Sequence, residues 1–163
     1  MDFAERSSVL RRFDGTFTSV LAGLHGEAIT ARVVATERRP ATSLDSELLR
    51  DDDDVVVVRA ACLVGQVSGV THAYAESVFA MRHLVLLSTT GEPDSPEPIG
   101  EVLRRRGVAT FRRDISFDLV STHSAQTWMP ATDGALYAVK TSLLMSDEGP
   151  LVLLREVFLA DAG

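Results

Sequence analysis

The sequence predicts an α+β domain built on an antiparallel sheet of about six strands. Three observations carry this. Val55–Val64 (VVVVRAACLV) opens on four consecutive Val residues, and it is followed at once by a turn and a second strand-like run. β-branched side chains are stiff at χ1 and suit a pleated sheet better than a helix. Near the C-terminus, Asp147-Glu148-Gly149-Pro150 joins two more apolar runs in the same way. Helical spacing is confined to short segments. Hairpins pair neighbouring strands antiparallel, which disfavours a parallel doubly wound sheet.

The elements follow in order. Short helices are expected in the first 25 residues, broken at Asp14-Gly15-Thr16, with Thr16 able to cap the next turn. Phe17, Val20, Leu21 and Leu24 then form one apolar face, and Gly26 stops the helix. Ala28–Thr36 reads as a strand. Asp51–Asp54 reads as a solvated, charged turn before the Val-rich strand; a calcium loop would also space its ligands around a Gly. Gln66–Gly69 is turn material between that strand and Val70–Phe79. Leu84–Leu87 is a short apolar run, and Gly91–Pro98 a polar, Pro-rich loop. Ile99–Arg106 is a short helix closed by Gly107. Strands Ala109–Val120, Ala135–Leu144 and Leu151–Leu159 complete the chain.

The composition narrows the function. At 163 residues the chain is expected to be a single domain over residues 1–163. Hydrophobic residues make up 45% and charged residues 24%, which excludes a disordered or collagen-like chain. One cysteine, Cys62, excludes an internal disulfide, and its Val-rich strand points to a buried structural thiol. Sixteen basic against 23 acidic residues give a net charge of −7, so no nucleic-acid partner is expected. No apolar leader and no membrane span are visible, and a cytoplasmic location is expected. There is no phosphate-binding Gly loop, nucleophile elbow or HExxH motif. The four His residues (His25, His72, His83, His123) show no metal spacing and read as surface or hydrogen-bonded core residues.

Two charges interrupt apolar strands: Arg59 in VVVVRAACL and Glu156 in LVLLREVFL. Alternation puts Arg155 and Glu156 on opposite faces of their strand, so one of them faces the covered side if the strand is central. Buried charges require a partner or a ligand. They read either as an edge-strand charge or internal Arg–Glu pair, or as an anion site built on Arg59 with Glu156 as its polar counterpart. The guanidinium fork suits a carboxylate.

The segments DVVVVRAACLVGQVSGVTHAYAESVF, EPIGEVLRRRGVATFRRDISF and GPLVLLREVFLA together resemble the chorismate lyase family over about residues 15–160. The resemblance implies a chorismate lyase-like fold and a cofactor-independent lyase that eliminates pyruvate from chorismate to leave 4-hydroxybenzoate. It assigns Arg59 to the ring carboxylate and Glu156 to the ring hydroxyl as catalytic residues. It places Phe17 and Ile99 against the substrate; chorismate carries a second carboxylate, for which Arg113, Lys140 and Arg82 are the candidates, in that order. The chain departs from the ubiquinone-pathway branch at Glu76, where that branch has Arg, and at Tyr137–Lys140, where it has Trp-Gly-Arg-Arg. Two alternatives follow. One is a diverged enzyme acting on another cyclic acid or polyketide-like intermediate of secondary metabolism. The other is a non-catalytic ligand-binding module, since effector domains of bacterial transcription regulators share this fold.

Overall fold

In the computed structural model the described residues are 8–9, 17–87, 98–121, 124–129 and 134–160. The Asp14–Thr16 break, His123 and nearly all of the Pro-rich loop lie outside them. Helix α1 (Phe17–His25) leads into strand β1 (Ile29–Pro40), helix α2 (Ser43–Leu49), β2 (Val55–Gly65) and β3 (Thr71–Ala80). A 3-10 turn (Met81–His83), α3 (Leu84–Leu87) and α4 (Ile99–Arg105) come before β4 (Phe111–Val120). A second 3-10 turn (Ser124–Thr127), β5 (Tyr137–Ser146) and β6 (Gly149–Leu159) follow.

The six strands form one antiparallel sheet in the order β1-β2-β3-β6-β5-β4. It consists of two meanders, β1-β2-β3 and β4-β5-β6, joined where β3 pairs with β6. After β3 the chain must travel to the far edge of the sheet. α3 and α4 lie on that crossover, and Ile99 and Leu103 pack onto Val57, Phe79 and Val152. The α+β class and the antiparallel sheet are therefore as expected from sequence.

Boundaries differ for physical reasons. β1 runs past Thr36 to Pro40, with Glu37, Arg38 and Arg39 opposite Val58, Val57 and Val56. At a sheet edge these charges stay solvated, so hydropathy alone ends the strand too early. α2 has no counterpart in the sequence reading. It is set by a capping box: the Thr42 hydroxyl accepts from the Asp45 backbone NH, and the Asp45 carboxylate accepts from the Thr42 backbone NH. Arg39 Nη1, 2.6 Å from Asp45 Oδ2, ties the cap to β1.

The Asp51–Asp54 turn is not wholly solvated. Asp51 is buried, accepts from the Asp53 backbone NH at 2.8 Å and lies 3.0 Å from Arg82 Nε. At the β2–β3 hairpin the Glu27 carboxylate fills the space where a Cβ on Gly65 would stand, so a larger residue there would displace it. Glu27 accepts from the backbone NH groups of Val67 and Ser68 and from the Ser68 hydroxyl, and it also bonds His72 Nε2. That carboxylate thus fastens the hairpin to the α1–β1 junction.

The core has four clusters, two on each face. Phe17, Leu21, Ala61, Leu63 and Phe158 fill one end of the first face, and Val57, Phe79, Ile99 and Leu103 the other. On the opposite face Cys62, Tyr74, Tyr137 and Val157 pack under Ala125 and Met129, and Val56, Leu143 and Leu153 pack with Leu49 of α2. Burying each large side chain contributes about 1.5–3 kcal/mol.

Candidate ligand-binding site

Between the two clusters of the first face lies a cavity of about 300 Å³. Strand alternation builds it. Arg59, Ala61 and Leu63 of β2 share one face, as do Ala75 and Ser77 of β3 and Leu154 and Glu156 of β6. The register sets Arg59 opposite Ser77, Ala61 opposite Ala75, and Ala75 opposite Glu156. Ala31, Ala61, Ala75 and Ser77 are small, so the floor is low and space remains above it. Phe17 and Thr18 of α1, Ile99 and Gly100 at the start of α4, and Val108–Arg112 form the walls.

Three guanidinium groups (Arg59, Arg104, Arg112) and one carboxylate (Glu156) line this space. Arg59 is 6% exposed and Glu156 3%. Arg112 grips Glu156 with both nitrogens: Nη1 donates to Oε2 at 2.7 Å and Nη2 to Oε1 at 3.1 Å. Nη1 also donates to the Ser142 hydroxyl at 2.6 Å. Burial pushes the Glu156 carboxyl above the ordinary carboxylate range, and Arg112 opposes this by favouring the charged form. Arg104, nearer solvent, pairs with Glu101 at 2.6 Å.

The structure brings four of the six expected site residues together: Arg59, Glu156, Phe17 and Ile99 all line the cavity. Two expectations are corrected. Arg113 is exposed and opposite Leu143, on the other face of the sheet; its neighbour Arg112 points to the cavity instead. Lys140 is not among the lining residues. It sits opposite Glu156 in the sheet, is 1% exposed, and its Nζ lies 3.3 Å from Asp114 Oδ1. Burial lowers its pKa, against the pull of Asp114. Arg82 is held by Asp51, away from the cavity.

Arg112 is the residue sequence reasoning missed. Arg112 and Arg113 are adjacent, so only the phase of β4 distinguishes them, and a bulge between Asp114 and Ser116 shifts that phase. Glu76 faces away from the cavity and accepts from the Tyr74 hydroxyl at 3.2 Å. Among the described residues no group of three or more His, Cys, Asp or Glu could hold a metal ion. His25 stacks on His72 with ring centres 3.7 Å apart, and His83 Nδ1 lies 3.3 Å from the Leu151 carbonyl. Cys62 is buried in β2. No helix among the described residues is long and apolar enough to cross a membrane.

No family model and no curated protein matches the chain. Solved structures do. The effector domain of PhnF from Mycobacterium smegmatis has a TM-score of 0.74 at 16% identity, covering 91% of this chain and 90% of that one. Longer PhnF from the same organism matches with a TM-score of 0.73 at 15% identity, over 89% of this chain but 64% of that one. The ligand-binding domain assigned to a GntR-family transcriptional regulator of Bordetella bronchiseptica gives 0.68 at 14% identity, covering 82% and 86%. At these identities the likeness establishes the fold. It also overturns the expectation of a chorismate pyruvate-lyase and of a biosynthetic enzyme, because the similar structures are domains of transcriptional regulators. The chain folds as the effector and ligand-binding domains of these regulators do.

Proposed function

We propose that this chain is a non-catalytic ligand-binding domain that takes a small organic acid into the cavity between α1, α4 and the sheet. The observation that carries this reading is the buried Arg59 guanidinium over a floor of Ala and Ser, beside Arg112 and Arg104, whose charges are matched by Glu156 and Glu101. Such a site favours an anion, and a guanidinium at the floor offers a carboxylate two parallel hydrogen bonds. Arg59 is the anchor. Phe17, Ile99, Leu63 and Leu154 contact the apolar body of the ligand. About 300 Å³ is at the lower end for small-molecule sites, which suits a single ring or short chain. The Arg112–Glu156 pair presents polar edges to a hydroxyl or amine on that body.

By analogy with the similar regulator domains, the whole of residues 1–163 acts as one sensing unit, and its occupancy is read by a nucleic-acid-binding partner. The acidic charge of −7 makes this chain itself a poor contact for DNA. The test is thermal unfolding with small carboxylates, benzoate and 4-hydroxybenzoate among them, and with inorganic phosphate. A ligand at ~100 times its Kd should raise Tm by about 5–10 °C, and Arg59→Ala should abolish the rise. Equal shifts in wild type and Arg59→Ala would refute the assignment.

A further inference from the structure

On the cavity face one buried polar group has no work within the fold. Ser77 of β3 is 4% exposed and lines the cavity floor. Its hydroxyl makes no hydrogen bond among the described residues. The other buried serine of this face, Ser142, accepts from Arg112 Nη1 at 2.6 Å. Buried polar side chains are hydrogen-bonded as a rule, and an exception requires a reason. A residue that served only to keep the floor low would be Ala, as at Ala31, Ala61 and Ala75. The Ser77 hydroxyl is therefore aimed at a group that arrives from outside the chain.

The register says where that group sits. Ser77 lies opposite Arg59 of β2 on one side and Leu154 of β6 on the other. Along its own strand Ala75 and Phe79 flank it on the same face. Of these neighbours only Arg59 is polar. Side chains directly opposed across an antiparallel pair stand about 4.5–5.5 Å apart at Cβ. We infer that Ser77 is a specificity-determining residue whose hydroxyl donates to the same anionic group that Arg59 holds. This rests on the reading of the cavity as an organic-acid site.

The donor count fits a carboxylate. A guanidinium fork fills one lone-pair position on each oxygen and leaves positions open on both. Ser77 supplies a further donor from the floor beside it. A hydrogen bond to a charged acceptor is roughly twice as strong as one to a neutral acceptor, so the hydroxyl sharpens the preference for an acid over its uncharged isostere. Removing it breaks no bond within the fold, so the unliganded protein gives up nothing.

Calorimetric titration of the full chain with 4-hydroxybenzoate and with its uncharged amide tests this, beside the unliganded Tm of each variant. Ser77→Ala should bind the acid about tenfold or more weakly and the amide less than about threefold more weakly. Its unliganded Tm should be no lower than wild type's. Arg59→Ala, run in parallel, reports on the site itself. Unchanged acid affinity in Ser77→Ala, with the acid weakened in Arg59→Ala, would overturn the role of Ser77 and leave the organic-acid site standing. Equal losses for acid and amide, or a lower unliganded Tm, would make this serine structural and overturn the inference too. Wild type that binds neither compound would remove the organic-acid site, and this inference with it.

Discussion

The two faces of this sheet carry similar charges in their middle rows and treat them in opposite ways. On one face Glu76 of β3 lies opposite Arg155 of β6, between two apolar clusters, and Arg155 is exposed. On the other, Arg59, Arg112 and Glu156 also lie between two apolar clusters, but α1, α4 and the segment before β4 close over them. Charges left in water cost the fold little and tell little. Charges taken out of water cost several kcal/mol each, which is the physical reason the proposal places the ligand on that face.

Breaking the buried pair should separate the faces most sharply. Arg112→Ala strands the Glu156 carboxylate in an apolar setting and should cost about 3–5 kcal/mol in urea unfolding. Arg155→Ala, one residue from Glu156 along the same strand, should change stability by less than about 0.5 kcal/mol. Equal costs would erase the distinction. The cavity floor sharpens it further. Ala75→Leu places a branched side chain where the low floor leaves room, and should abolish the ligand-induced rise in Tm while changing stability by about 1 kcal/mol. A retained Tm rise would move the site elsewhere.

The smallest effect lies away from both faces. The Ser68 hydroxyl and backbone NH, then His72, hold the Glu27 carboxyl down at about 2, against an ordinary 4.5. Its folded pKa is depressed, so the stability it contributes is complete above 4.5 and is lost as pH falls toward about 2. Glu27→Gln should flatten the acid limb of the stability–pH curve in that window and leave the neutral region's slope unchanged. An acid limb as steep as wild type's would remove the Glu27 fastening.

Most of the architecture was legible because strand signals are local. Four Val residues, a Gly turn and alternation are enough to place β2 and β3, and Asp147–Pro150 places the last hairpin. α2 was not: the Thr42-x-x-Asp45 capping pattern and the Leu44–Leu48 spacing are both in the sequence, but seven residues hold too few turns for those signals to stand out from a loop. Arg59 and Glu156 stood out as charges inside apolar runs. Arg112 did not, because a one-residue bulge decides which of two adjacent arginines faces inward. Activity was the hardest to read, since one scaffold can carry unrelated functions and the fold alone does not choose between them.

The central claim is that Arg59 anchors an anionic ligand in a non-catalytic pocket. Calorimetric titration with 4-hydroxybenzoate and its uncharged amide tests it most directly, with wild type beside Arg59→Ala. The expected result is that wild type binds the acid at least ~10-fold more tightly than the amide, that Arg59→Ala loses this preference, and that the acid is recovered unchanged. Equal affinity for acid and amide, or an acid preference that survives Arg59→Ala, would contradict it.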